Sequence, residues 1–406
     1  MREIKNFKLA PPHKAQLKVV KAYLEGKRYI TLCCGRRFGK SWIVQTLALI
    51  ELFRADEIKV GYITPTYELG KDFFNDMLKL IPEELVTSAN ISDRKITLIN
   101  KSTITFFTGE KLDNLRGKNF HLLIVDEAAY IDDLKDGWEG AMSNTLIDHD
   151  PDSKAIFVST PRGKDYFFTL TKIEHADWQN FHFSSYENPH LNKAALDNKK
   201  LTLPEAIFNQ EILAIAGENS AAVVSLKYIE ANTIKQLSTN PTVVYGIDVA
   251  KYTDWTVVTG LDEDGVMSYF DRFQTPNEIT KQKIKALPSS ILKVMDSTHG
   301  SLGDGIYESL INDGVQNLQG FEFTGVSKPK LIMEMVLAIE KGELKFNEKT
   351  ADELSTFEYT YSSTGHIKYS AINGCHDDCV AAIAIANKYK NTAKTNSNFI
   401  NTFGFI

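Results

Sequence analysis

Tyr29-Ile30-Thr31-Leu32-Cys33-Cys34-Gly35-Arg36-Arg37-Phe38-Gly39-Lys40-Ser41 is the stretch whose reading decides the fold. An apolar run feeds a short glycine-bearing loop, and Lys-Ser then opens a helical pattern from Trp42 to Phe53. Strand, tight loop and helix in that order make a phosphate cradle. Backbone N–H groups and the helix N-terminus face the anion, a lysine reaches the terminal phosphates, and a hydroxyl ligates Mg²⁺. On this reading Gly35, Arg36, Arg37, Phe38, Gly39, Lys40 and Ser41 bind the nucleotide, with Ser41 on the metal. Cys34 stands where the usual loop has its first glycine and is expected to be a small buried residue. Taken alone, the loop would also be explained by a chance Gly-Lys-Ser at a helix start.

A second stretch, Leu122-Leu123-Ile124-Val125-Asp126-Glu127, is an apolar strand ending in two carboxylates. Asp126 suits the water shell of a nucleotide-bound magnesium, and Glu127 suits the orientation or deprotonation of an attacking water. Ala155-Ile156-Phe157-Val158 then runs into Ser159-Thr160-Pro161-Arg162-Gly163. Polar strand tips on the phosphate-loop side are where an α/β sheet builds its site, so Thr160 is a candidate γ-phosphate sensor, with ordinary turn chemistry as the alternative. Gln16, in Pro11-Pro12-His13-Lys14-Ala15-Gln16, is a candidate reader of the adenine edge; a solvent-facing helix glutamine fits as well. Segments 95–99 and 102–107 alternate apolar and polar about Asn100-Lys101, which predicts a hairpin.

With 406 residues the chain is long enough for two cores. Hydrophobic content of 43% and charged content of 24% are ordinary and indicate neither disorder nor a membrane protein. No apolar run reaches the length of a membrane span, and Met1-Arg2-Glu3-Ile4-Lys5-Asn6 lacks the apolar core of a signal peptide. Cys33, Cys34, Cys375 and Cys379 lack zinc spacing and read as reduced thiols. A net charge of −6 argues against nonspecific coating of nucleic acid but allows a basic channel.

The second half carries aspartates at the ends of apolar runs. Val243-Val244-Tyr245-Gly246-Ile247-Asp248 is a buried-type strand with one carboxylate, followed by Asp254 in a turn. Ile291-Leu292-Lys293-Val294-Met295-Asp296 repeats the pattern, and His376-Asp377-Asp378-Cys379 opens an apolar helix. An aspartate in an apolar strand is costly unless paired, hydrogen-bonded or bound to metal. Singly, Asp248 reads as a satisfied core residue, Asp296 as a turn, and Asp377-Asp378 as a helix N-cap pair. As an ordered trio they fit an RNase H-like nuclease core, in which carboxylates on adjacent elements hold two Mg²⁺ or Mn²⁺ ions for in-line attack on phosphate.

In order along the chain, Gly-Arg-Arg-Phe-Gly-Lys-Ser, Tyr-Ile-Thr-Pro-Thr-Tyr, Leu-Arg-Gly before Val-Asp-Glu-Ala, Val-Ser-Thr-Pro-Arg-Gly, Asp-Ser-Thr and His-Asp-Asp resemble the large terminase subunit of tailed bacteriophages and prophages. That resemblance implies an α/β protein with an ATPase at 1–182, a lid or connecting subdomain at 183–230, a linker at 231–241, an RNase H-like nuclease at 242–390 and a flexible tail at 391–406. It implies ATP with Mg²⁺ in the first domain, and Asp248, Asp296, Asp377 and Asp378 as metal ligands in the second. It also offers Arg36, Arg37 or Arg116 as the arginine meeting phosphoryl charge. The implied partners are double-stranded DNA, the portal protein of a procapsid, a small terminase subunit and further copies of the chain in a ring, in the cytoplasm of a bacterial host. Lys328-Pro329-Lys330 is a candidate DNA-backbone contact, and a solvated helix cap fits equally. Two rival readings stand beside this one: a helicase–nuclease of DNA repair, which needs a second motor lobe, and a non-enzymatic portal- or DNA-docking module.

Overall fold

The computed structural model describes residues 9–217, 222–249, 255–361, 367–371 and 376–402; Asp254 and Cys375, singled out above, lie outside that set. The chain divides into two compact units, Met1–Leu201 with Ile207–Ser220, and Thr202–Ala206 with Ala221–Ile406.

The first unit is built on one eight-stranded sheet in the order β3-β4-β5-β2-β6-β7-β1-β8. Its strands are β1 (Tyr29–Cys34), β2 (Lys59–Thr64), β3 (Val86–Asn90), β4 (Lys95–Leu98), β5 (Thr103–Thr108), β6 (Leu122–Asp126), β7 (Lys154–Ser159) and β8 (Trp178–Phe183). Neighbours from β5 across to β8 run parallel. A parallel sheet is covered on both faces, so its strands are apolar throughout rather than alternating. In β6, Leu122 and Ile124 join the core on one face and Leu123 and Val125 the core on the other. β4 and β5 pair antiparallel about Asn100-Lys101, the hairpin that the alternation predicts. Helix α1 (Lys14–Leu24) precedes β1, α2 (Lys40–Leu52) follows the loop after β1, and α3 (Tyr67–Leu80) follows β2.

The second unit has a five-stranded sheet in the order β12-β11-β10-β13-β14. Its strands, which follow the short β9 (Thr233–Ile234), are β10 (Val244–Asp248), β11 (Thr256–Leu261), β12 (Met267–Phe273), β13 (Leu292–Asp296) and β14 (Leu318–Phe321). β10, β11 and β12 form an antiparallel meander, and β13 and β14 add in parallel beside β10, the arrangement expected of an RNase H-like core. The helix Asp378–Thr402 lies against β10 at Gly246, where an added Cβ would sit 2.0 Å from the Ala382 carbonyl oxygen. Only glycine permits that approach.

Three sequence-based boundaries differ from this arrangement. Residues 183–230 do not stand apart: 183–201 and 207–217 belong to the first unit and 222–230 to the second. The physical reason lies in the backbone, because Gly35 and Arg36 donate to the carbonyls of Phe183 and Glu211 at 2.9 and 2.7 Å. The expected linker at 231–241 contains β9, which pairs with β15 (Phe346–Asn347) inside the second unit. The helix Asp378–Thr402 continues well past 391, where a tail is expected.

Candidate active sites

The phosphate loop sits between β1 and α2 at the carboxyl edge of the sheet. Gly39 takes the left-handed conformation (φ 106°) that turns the chain into α2, and Arg37 is left-handed too (φ 64°). β7 lies between β1 and β6, so Thr160, just past β7, falls between the loop and Asp126-Glu127 at the end of β6. Lys40 Nζ donates to Thr160 Oγ1 at 2.7 Å and meets Glu127 Oε1 at 3.0 Å. Burial works to lower the pKa of this ammonium, but the charges of Glu127 and Asp126 outweigh it and hold Lys40 above its ordinary value. Glu127 itself is left-handed (φ 48°), an uncommon conformation for a side-chain-bearing residue and one that clusters at functional sites. Its Oε2 also accepts from Ser159 Oγ at 3.3 Å.

Asp126 is held by two donors, the Tyr62 hydroxyl at 2.6 Å and the Glu127 N–H at 2.9 Å. Burial, then the neighbouring Glu127 charge, pushes its carboxyl up to about 6, with Tyr62 and Lys40 acting against the rise. Tyr62 comes from β2, the neighbour of β6, and its ring stacks on Phe73 with centroids 3.8 Å apart.

Other expected loop residues divide. Gln16 reaches the loop, but its amide is engaged with backbone: Nε2 donates to Gly39 O at 3.2 Å and Oε1 accepts from His13 N–H at 2.9 Å. Phe38 takes part in the loop through its backbone alone. Its side chain is fully buried, stacked on Phe183 at 4.8 Å, and anchors the loop in the core rather than facing a ligand. Cys34 is fully buried, as its size predicts. Arg36 is tied to Glu211 by an ion pair, whereas Arg37 and Ser41 are exposed. Arg116 is exposed on the surface, 3.0 Å from Asp113.

In the second unit, Ile247 lies opposite Met295 in the parallel pair β10–β13, so Asp248 and Asp296 leave the sheet side by side. The Gly246 contact sets the start of the helix Asp378–Thr402, with Asp377 and Asp378, at the same edge. Burial first, then the charges of Asp378, Asp296 and Asp377, push the Asp248 carboxyl well above the ordinary range, and Lys328 opposes them. Lys328 Nζ lies 3.4 Å from Asp377 Oδ2. Asp296 Oδ1 accepts from the Thr298 N–H at 2.9 Å, and Glu353 Oε2 accepts from the Cys379 N–H at 2.7 Å, which steadies the helix start. An all-carboxylate donor set whose anions repel one another suits a hard divalent cation. As arranged, the aspartates share charge range but not ligand distance: among the described residues no group of three or more His, Cys, Asp or Glu is placed to hold a metal ion.

Sequence reasoning missed Tyr62, His13, Ser185 and Glu211, all of which brace the first site, and Asn188, which bonds the loop at a peptide whose N–H is already spent within it. Only His13 left a local signal, a polar residue three positions before a glutamine at a helix start, which is the spacing of a capping box.

Comparison with known proteins finds relatives along most of the chain. Residues 32–230 match the family model for the N-terminal domain of the T4likevirus-type terminase large subunit. The terminase large subunit of Thermus phage G20c is 26% identical over 92% of this chain and 87% of its own length. That of Escherichia phage T5 is 28% identical over 49% of this chain and 47% of its own. The solved structure of a large terminase from a thermophilic bacteriophage covers 94% of this chain and 99% of its own with a TM-score of 0.51 at 15% identity, a likeness of fold. Over most of its length, then, the chain is similar to the terminase large subunits of phages.

Proposed function

We propose that this enzyme hydrolyses ATP at the Lys40–Glu127–Thr160 site to drive double-stranded DNA into a procapsid, and cuts DNA at the aspartates of the second unit. The similarity to phage terminase large subunits supports the reading of a viral DNA-packaging motor with a nuclease. The observation that carries the reading is the convergence of Lys40, Thr160, Asp126 and Glu127 at adjacent strand ends. In this reading the loop N–H groups and Lys40 bind the phosphates, and Glu127 orients or deprotonates the attacking water. Ser41 and Asp126 are the residues that would hold Mg²⁺, and Asp248, Asp296, Asp377 and Asp378 those that would hold two Mg²⁺ or Mn²⁺ ions. When bound, such ions supply charge neutralisation at the nucleotide and water activation with leaving-group stabilisation at the DNA. Nucleotide and magnesium use are supported by relatives: the large terminase of the thermophilic bacteriophage has also been solved with ADP, and a phage G20c terminase nuclease with magnesium. Arg37, exposed in the loop, and Arg116, exposed on the surface, are the arginines proposed to meet phosphoryl charge. Arg36 is occupied by Glu211.

The proposed partners are the portal, the small terminase subunit and further copies of the chain in a ring, acting in the host cytoplasm. Among the described residues no helix is long and apolar enough to cross a membrane. The helicase–nuclease and docking-module alternatives are not favoured, since the second unit carries strand-borne carboxylates and the first an intact set of phosphate-site side chains.

The test is a crossed pair of variants in the full chain, assayed for ATP turnover and for Mn²⁺-dependent plasmid cleavage. Lys40→Ala is expected to abolish turnover and spare cutting, and Asp296→Ala to do the reverse. Loss of both activities in both variants, or no cutting by the wild type, would overturn the two-site reading.

A further inference from the structure

Four consecutive carbonyls of the phosphate loop are each held by a side chain from outside it. Ser185 Oγ donates to Arg36 O at 2.6 Å and Asn188 Nδ2 to Arg37 O at 2.8 Å. His13 Nε2 bonds Phe38 O at 3.1 Å and Gln16 Nε2 donates to Gly39 O at 3.2 Å. In a planar trans peptide the C=O of one residue and the N–H of the next point in opposite directions. Each held carbonyl therefore fixes the direction of the following N–H, in turn those of Arg37, Phe38, Gly39 and Lys40. The Phe38 N–H is used within the loop, on Gly35 O at 3.3 Å. Those of Arg37, Gly39 and Lys40 make no backbone hydrogen bond among the described residues. Oriented, unspent donors at a helix start are what a polyphosphate needs.

The network also fixes the His13 tautomer. A carbonyl only accepts, so Nε2 carries the proton toward Phe38 O, while Nδ1 accepts from the Gln16 N–H at 3.4 Å. The ring packs edge-on against Phe38 at 5.1 Å and is buried, as Ser185 is.

We propose that His13 and Ser185 are positioning residues for polyphosphate binding. From two distant parts of the chain they hold loop carbonyls away from the ligand, so that the N–H groups of Gly39 and Arg37 face it before nucleotide arrives. Asn188 makes a similar bond, but the N–H it orients is already satisfied inside the loop, so it serves as the internal control. The proposal rests on the first site being a nucleotide site.

The experiment uses the full chain and a fluorescent ADP derivative, displaced either by inorganic tripolyphosphate or by adenosine. If the wild type does not bind the fluorescent nucleotide, it is the nucleotide-site reading that fails. Given binding, His13→Ala and Ser185→Ala should each weaken tripolyphosphate roughly tenfold, the order of one lost hydrogen bond, with adenosine unchanged. His13→Gln, which keeps a donor at the same reach, should restore most of the loss, and Asn188→Ala should change little. The proposal is overturned if adenosine and tripolyphosphate weaken alike, if neither weakens, or if Asn188→Ala costs as much as Ser185→Ala.

Discussion

Two sheet edges in this molecule each gather carboxylates around one lysine, and they balance charge differently. At the first, Lys40 is nearly covered (11% of its side chain exposed) and lies 3.0 Å from Glu127, with Tyr62 and backbone serving Asp126. At the second, Lys328 is 34% exposed, lies 3.4 Å from Asp377 and acts on Asp248, which also feels the charges of Asp296, Asp377 and Asp378. A site whose anions already have internal donors is organised by the protein alone. One whose anions outnumber its cations leaves the balance to ions from solution.

The sharpest way to break that contrast is at Glu127. Glu127→Gln keeps the shape and removes the base, so ATP turnover should fall by at least about 100-fold. Nucleotide affinity, read by fluorescence titration, should hold within about twofold and plasmid cleavage should be untouched. If cleavage falls too, the two edges are not independent. Gly246→Ala attacks the other side. Its Cβ would meet the Ala382 carbonyl at 2.0 Å, so the helix bearing Asp378 must shift. Overpacking of this kind costs about 3 kcal/mol. Calorimetry should show a lowered unfolding transition and the cleavage assay a loss, with fluorescent-nucleotide binding unchanged.

The third test uses pH. In metal- and nucleotide-free protein the Asp126 carboxyl titrates near 6, above its ordinary 3.8. Between those values the folded state keeps a proton that the unfolded state releases. Its contribution to stability is therefore full below about pH 4 and is lost as pH rises through about 6. Asp126→Asn should flatten that decline and raise Tm at pH 7 by about 2–4 °C while abolishing ATP turnover. Asp165, raised by burial to about 6, adds the same sign elsewhere, so the slope should shrink rather than vanish. A Tm that does not respond to Asp126→Asn would show that Asp126 is not strained in the empty site. The smallest expected effect is that of Tyr62→Phe, which keeps the ring on Phe73 and removes one donor to Asp126. The Mg²⁺ concentration for half-maximal ATP turnover should rise roughly threefold.

Much of this contrast was legible in the residues themselves. Asp126, Glu127 and Thr160 lie at strand ends and Lys40 at the helix start after one, and such points can be located from an apolar run and the turn after it. Asp248 and Asp296 were legible for the same reason, and Asp377 because it stands before an apolar helix. What stayed hidden was lateral. Tyr62 reaches Asp126 because β2 pairs with β6, and Ser185 and Glu211 reach the loop because 183–212 folds back on β1. Neither adjacency leaves a local trace in composition or spacing. The role of the Phe38 side chain was hidden as well, because a position inside a ligand loop says nothing of where its ring packs. Its ring is spent on holding the loop down, which the apolar character of phenylalanine among arginines and glycines would have suggested.

The sharing of one ammonium between Glu127 and Thr160 has a further consequence for timing. On the proposed roles, a triphosphate entering the loop would compete for the same Nζ and draw it from the carboxylate assigned to the water. Readiness of the base is thereby made conditional on occupancy, much as an interlock keeps a machine from starting with its chamber empty. On that reading a vacant site holds its own trigger shut, and a loaded one releases it.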